Sequence, residues 1–348
     1  MLVSFIIPSY NSAHTVKRCL DSIYALPLKL SEFEVIFVDD CSTDNTYDIV
    51  AEYQAKHSNI TLLLQPKNNR QGAARNRAVT IAKGEYICFV DSDDAVTEGI
   101  VAAIRLAKDH NTDMTVFHFV NANEHGIITK EADKLSFKEK QVFSGVEMQN
   151  KHSYWCSAPW GYIYKNGFLR QVNYPFTEGA LYEDSDFVAV HLYYAKRMTY
   201  SAKLGYIAYY REGSTTHSTS YKNTADYFLL GSRMLAFYTI IQQDIDSHER
   251  TDDGLQQFAD GVLEGAIHNV TMSLKRLFKL NTPAEIVRYY RRIDSHVNRR
   301  AIYTDPRMHK YPNYWSKMAQ LGIRHKYLSI LINSCLLIAY QLYVKLKK

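Results

Sequence analysis

Three carboxylates fall within four residues at Asp91-Ser92-Asp93-Asp94, directly behind the apolar run Tyr86-Ile87-Cys88-Phe89-Val90. Like charges this close repel one another unless a cation sits among them. Hard oxygen ligands of this kind suit Mg²⁺ or Mn²⁺, ions that commonly serve phosphate-bearing substrates. The competing reading is a solvated turn in which Asp94 caps a helix opening near Thr97.

Other polar groups gather at comparable places. Pro8-Ser9-Tyr10-Asn11 ends one apolar run, and Asp39-Asp40-Cys41-Ser42-Thr43-Asp44 ends another. Gly72-Ala73-Ala74-Arg75-Asn76 opens a helical stretch. A carboxylate such as Asp39 or Asp40 can accept hydrogen bonds from a base or a ribose, and Arg75 can bind phosphate or organise the acids. The sequence contains no G-x-G-x-x-G, no G-x-x-x-x-G-K-[ST] and no H-E-x-x-H. These absences count against a dinucleotide-binding dehydrogenase, a P-loop NTPase and a zincin.

The elements that would position these groups alternate. Strands are predicted at Leu2–Ile7, Glu34–Val38, Ile60–Leu64, Glu85–Val90 and Met114–Phe119. Between them fall helices after Ser12, after Asp44, over Gly72–Lys83 and over Thr97–Asp109. Strand alternating with helix predicts an α/β fold, a mostly parallel sheet flanked by helices. Ligands bind such sheets at the carboxyl edge, where all four polar clusters fall. Beyond residue 120 the pattern loosens. From Thr224 to Arg300 it is helical, with Thr282 capping a helix whose first residue is Pro283.

Taken together, Pro8-Ser9-Tyr10-Asn11, Val38-Asp39-Asp40, Gly72-x-x-Arg75-Asn76 and Asp91-Ser92-Asp93-Asp94 resemble glycosyltransferase family 2 in order and spacing through about residue 120. The one departure is Cys41, where the family usually has Gly. The resemblance implies a Rossmann-like GT-A fold, a UDP-sugar donor and inverting transfer. Asp40 would then meet the uracil, and Asp91 and Asp93 would hold Mn²⁺ or Mg²⁺ on the diphosphate. Asp39 contacts the ligand or holds its turn, and Pro8, Tyr10, Asn11, Arg75 and Ser92 complete the donor rim.

Further along, Leu181-Tyr182-Glu183-Asp184 resembles the family's Glu-Asp motif. That makes Asp184 the catalytic base and Glu183 a group that orients the site. Trp160, after Ala158-Pro159, falls on the acceptor side, where it stacks on a sugar or fills the core. Tyr209-Tyr210-Arg211-Glu212-Gly213-Ser214 resembles the segment whose basic residue approaches the diphosphate, which would be Arg211. His217 would add a metal ligand or a phosphate contact. The implied organisation is a catalytic domain over 1–220 (donor half 1–120, acceptor half 121–220), a helical region over 221–326 and an amphipathic helix over 327–348.

Composition sets the outer limits. A chain of 348 residues, 46% hydrophobic and 22% charged, is globular. Five scattered cysteines without C-x-x-C spacing predict neither a disulfide framework nor a zinc site, and they fit a reducing cytoplasm. The opening residues carry no secretion signal, so a cytoplasmic location is expected. Net charge is +5, but the segment Arg288–Lys348 alone carries +11. The preceding residues therefore carry −6, and an anionic partner for the basic segment is expected.

Residues 327–344 are mostly apolar and flanked by Arg324-His325-Lys326 and Lys345-Leu346-Lys347-Lys348. This suits a helix lying on an anionic membrane surface better than one crossing it. Nucleic acid is not expected as a partner. The functional expectation is a glycosyltransferase acting on a glycan or lipid-linked glycan in surface polysaccharide assembly. A nucleotidyltransferase would want a glycine-rich basic loop after the first strand. A non-catalytic glycan-binding protein would lack the paired acids.

Overall fold

A computed structural model describes residues 1–152, 156–210, 220–277, 279–280, 282–298, 301–302 and 305–309. The chain divides into two units. The first comprises Met1–Glu212 with Asp252–Gly254, and the second Gly213–Thr251 with Leu255–Lys348.

The first unit is built on a sheet. Its strands are β1 (Val3–Ser9), β2 (Phe33–Asp39), β3 (Ile60–Leu64), β4 (Tyr86–Phe89), β5 (Ala95–Val96), β6 (Met114–Ala122), β7 (Ile128–Glu131), β8 (Tyr162–Lys165) and β9 (Met198–Tyr209). Its helices are α1 (Val16–Tyr24), α2 (Thr46–Lys56), α3 (Arg70–Ile81), α4 (Glu98–His110), α5 (Gly145–Lys151), α6 (Asn166–Val172) and α7 (Glu183–Tyr194). Strand order is β3-β2-β1-β4-β8-β6-β9-β5, with β7 paired to β6.

All seven residues of β1 and of β2 are buried. Strands covered on both faces read as continuous apolar runs, which is why the sequence marks them so clearly. The strands β3, β2, β1 and β4 run parallel, as the alternation predicts. Beyond β4 the sheet is mixed: β8 lies antiparallel between β4 and β6, while β9 runs parallel to β6.

Register brings the polar clusters level. Ser9 lies opposite Asp39, and Ile6 opposite Phe89, so β1, β2 and β4 finish on one rim. Gly84 allows β4 to enter beside β1, since a Cβ there would stand 2.4 Å from the Ser4 nitrogen.

Among the described residues the second unit is mainly helical: α8 (Tyr221–Asp246), α9 (Leu255–Leu277) and α10 (Pro283–Asp294). Helices α8 and α9 lie close at Gly231, where a Cβ would meet the Ala266 carbonyl at 2.7 Å. Thr282 caps α10 as predicted, its hydroxyl accepting from the Glu285 N–H at 3.2 Å. Buried Asp226 accepts from Arg292 Nε at 2.7 Å, which ties α10 to α8. Among the described residues no helix is long and apolar enough to cross a membrane. The segment 327–348 lies outside the described residues.

Candidate active site

The loop after β1 and the loop after β2 are stitched together. The Asn11 side-chain oxygen accepts from the Thr43 N–H at 2.8 Å, and the Ser42 hydroxyl accepts from the Asn11 N–H at 2.9 Å. Asp39 receives the Ser42 N–H at 3.1 Å and the Ser42 hydroxyl, so one of its oxygens holds the turn. Asn11 and Cys41 both lie in the left-handed backbone region, at φ 51° and 65°. Asn tolerates this, whereas a Cβ-bearing Cys is strained there. The geometry explains why glycine suits position 41 and what the cysteine costs. Tyr10 is exposed at the tip and Pro8 is buried within β1. Asp44 accepts from the Ala13 and Thr46 N–H groups, each at 3.0 Å, and Asn45 stands at the N-cap of α2.

Asp40 is almost wholly buried, at 2% exposure. Its Oδ1 accepts from the Asn69 N–H at 2.9 Å, and its Oδ2 has no hydrogen-bond partner among the described residues. Burial raises its pKa above the ordinary carboxylate value. A buried acceptor without a donor is rare in folded proteins, and here it suits an N–H or O–H brought by a ligand.

The segment after β4 separates its three acids. Asp94 is withdrawn: its Oδ2 accepts from the Tyr206 hydroxyl at 2.7 Å and its Oδ1 from the Tyr209 N–H at 2.7 Å. Thr97, not Asp94, stands at the N-cap of α4. Ser92 is buried and bonds the Ser12 hydroxyl at 2.7 Å, tying the β4 loop to the β1 loop. Asp91 and Asp93 remain half-buried.

Arg75 is the centre of the site. Lying on the second turn of α3, it places Nη2 at 2.8 Å from Asp91 and Nη1 at 2.7 Å from Glu183. It thereby organises the acids, one of its two anticipated roles. Glu183 and Asp184 open α7, where negative charge suits the helix dipole. Burial pushes Glu183 up to about 7, helped by the Asp184 charge and opposed by Arg75. Burial likewise pushes Asp184 up to about 6, opposed chiefly by Arg75. Asp186, the third acid of that turn, accepts from the Tyr174 hydroxyl at 2.9 Å.

Asn76 and Gly72, which share the motif with Arg75, deliver Glu183 to it. Asn76 pairs with the Phe176 backbone, accepting its N–H and donating to its carbonyl, both at 2.9 Å. Gly72 lets that loop approach, since a Cβ there would meet the Thr177 carbonyl at 2.8 Å and Glu183 Cγ at 3.0 Å. Tyr182, just before Glu183, holds a left-handed conformation at φ 62°, a strained geometry typical of functional sites. Trp160 is half-buried, its ring flat on Tyr206 with centroids 4.6 Å apart. Arg211 and His217 lie outside the described residues.

The acids fit a divalent cation held jointly with a substrate. Among the described residues no group of three or more His, Cys, Asp or Glu side chains is arranged to hold a metal alone. Two carboxylates with diphosphate oxygens and water are a common environment for Mg²⁺.

The parallel half-sheet, its acidic rim and the antiparallel strand inserted after β4 define a GT-A-type domain. Residues 4–162 match the glycosyl transferase family 2 model. A poly(ribitol-phosphate) beta-glucosyltransferase of Bacillus spizizenii is 38% identical over 141 residues, covering 40% of this chain and 22% of that protein. The poly(ribitol-phosphate) beta-N-acetylglucosaminyltransferase TarS of Staphylococcus aureus is 30% identical over 231 residues, covering 66% of this chain and 39% of that protein. The chain thus spans well under half the length of these relatives. The crystal structure of S. aureus TarS 1–349 in complex with UDP-GlcNAc superposes with a TM-score of 0.63 at 22% identity, covering 93% of this chain and 92% of that one. The mannosyltransferase PcManGT from Pyrobaculum calidifontis, in complex with GDP-Man and Mn²⁺, superposes with a TM-score of 0.50 at 14% identity, covering 93% and 87%.

Proposed function

We propose that the protein is an inverting, metal-dependent glycosyltransferase of surface polysaccharide assembly. It moves a hexose or N-acetylhexosamine from a UDP-sugar to a hydroxyl of a glycan or lipid-linked glycan. The observation that carries this reading is Arg75, which joins Asp91 on the donor rim to Glu183 beside Asp184. The names of the two curated relatives and the ligands of the two solved structures support it.

In this reading the unpartnered Asp40 oxygen receives the uracil N–H. Asp91 and Asp93 hold Mn²⁺ or Mg²⁺, which when bound offsets negative charge on the departing diphosphate. Asp184 takes the proton of the acceptor hydroxyl as its oxygen bonds to C1 and the bond from C1 to the diphosphate breaks on the opposite face. A carboxylate raised to about 6 is still ionised at neutral pH and is a stronger base than an ordinary one. Glu183, fixed by Arg75, holds the base in register. Arg211 and His217 are assigned to the diphosphate end, and Trp160 to the acceptor side. The basic segment from Arg288 is assigned to the cytoplasmic membrane face, where a lipid-linked acceptor would be met.

Asp184→Asn tests the assignment. Transfer falls about 10²–10⁴-fold, the usual worth of a general base, while UDP-sugar binding measured by calorimetry persists. Wild-type transfer in that variant removes Asp184 from the role of base.

A further inference from the structure

The acids of the donor rim rest on a brace drawn from the far end of the sheet. Tyr206, in β9, is fully buried. Its hydroxyl accepts the Asp91 N–H at 3.0 Å and donates to Asp94 Oδ2 at 2.7 Å. One phenolic oxygen therefore holds both the backbone of Asp91 and the withdrawn acid three residues later. Arg18 adds a second hold, donating to the Asp93 carbonyl while its guanidinium lies 3.6 Å over the Tyr209 ring. The other end of the brace is aromatic. Trp160 stacks on Tyr206 at an interplanar angle of 2°, and Phe119 meets Trp160 edge-on at 4.9 Å.

Tyr206 reaches this place because β9 is irregular. Phe117 lies opposite Ser201, but His118 lies opposite Leu204 and Phe119 opposite Tyr206. Residues 202, 203 and 205 are extra on the β9 side. In unbroken register Lys203 would face Phe119, and Tyr206 would lie further along the strand. Bulges of this kind re-aim side chains beside active sites. The same irregularity supports α4: the Gly205 carbonyl accepts the Thr97 N–H at 3.1 Å.

We propose that Tyr206 is a positioning residue of the donor site, fixing the Asp91–Asp93 backbone through its hydroxyl and coupling it to Trp160 through its ring. The proposal rests on the reading of Asp91 and Asp93 as the acids that meet the cation and diphosphate. Trp160 then acts on donor binding as well as facing the acceptor. Occupation of the acceptor side would be felt at the cation through one aromatic stack and one hydroxyl.

The test is calorimetry of UDP binding with and without Mn²⁺, on wild type, Tyr206→Phe, Trp160→Leu and the double variant. Tyr206→Phe keeps the ring and removes only the hydroxyl. It is expected to weaken Mn²⁺-dependent UDP binding about 10-fold, the worth of one hydrogen bond, and to leave the Mn²⁺-independent part unchanged. Trp160→Leu weakens it in the same sense, and the double variant is weaker by less than the product of the two, because both act through one brace. Wild-type affinity in Tyr206→Phe, or equal losses with and without Mn²⁺, overturns the proposal. If Tyr206→Phe does not fold, Trp160→Leu alone decides: unchanged Mn²⁺-dependent binding overturns it. Amide exchange at Asp91 in the ligand-free protein separates this proposal from the functional one. Faster exchange in Tyr206→Phe supports the brace even where wild type binds no UDP, a result that would sink only the donor reading. Unchanged exchange counts against the brace.

Discussion

Glu183 and Asp184 follow one another on the chain and meet different surroundings. Glu183 is 1% exposed and spends one oxygen on Arg75, while its Oε2 has no partner among the described residues. Asp184 is only half-buried by surface area, and it presents the more accessible carboxylate of the pair. Both are raised, to about 7 and about 6, with burial the largest cause in each. Their charges act on one another, so the two protons leave in steps that belong to the pair. A base works only when ionised, so transfer is lost as pH falls through this range. The expected profile of kcat rises with pH below about 6 and levels off above about 7. Glu183→Gln removes the member of the pair that Asp184 helps push up to about 7, so any part of the limb near 7 is lost while the part near 6, set by Asp184, stays. A pH–rate profile checks both, and a limb lost near 6 in Glu183→Gln would mean that Asp184 alone does not set it. The acids themselves are legible in the sequence because each sits where an apolar run stops. Their partners are not legible: Asp91 is held by a hydroxyl 115 residues away, and no local pattern at Tyr206 marks it.

At the scale of elements, α3 does two jobs. Its second turn carries Arg75 to the rim, and its neighbour Asn76 zips the 176–178 loop alongside, so that α7 begins beside Arg75. Removing the Asn76 amide leaves the Phe176 N–H and carbonyl without those partners. Asn76→Ala is therefore expected to cost about 1–3 kcal/mol of stability. It should also lower kcat with little change in UDP affinity, because the loop delivers Glu183 and Asp184 rather than Asp40. Urea melts and calorimetry check the two halves, and a loss of UDP binding equal to the loss of kcat would refute the division. The parallel half of the sheet follows from alternating strand and helix signals. The mixed half does not, because β8 is only four residues long and its burial pattern runs unbroken over Tyr162–Tyr164. A short apolar run gives no period from which direction or pairing can be read. The bulges of β9 are equally silent, since the groups they meet, Asp91 and Thr97, are more than a hundred residues away in sequence.

At the scale of the whole molecule, charge is divided along the chain: +11 over Arg288–Lys348 and −6 before it. Self-repulsion within the basic segment is relieved by any anionic surface, and the apolar composition of 327–344 is what the proposed membrane-surface role calls for. Three lysines, Lys345, Lys347 and Lys348, close the segment. Each cation near an anionic leaflet contributes about 1 kcal/mol, so replacing all three with Gln should weaken partitioning onto phosphatidylglycerol vesicles by roughly 100-fold. Binding to phosphatidylcholine vesicles should be weak from the outset. Raising salt should reproduce the effect of the substitutions, because surface charges are screened within about 10 Å at 0.1 M. Co-sedimentation at low and high salt reads all three. Equal binding to both lipids, or binding indifferent to salt, would leave the basic segment without a membrane role.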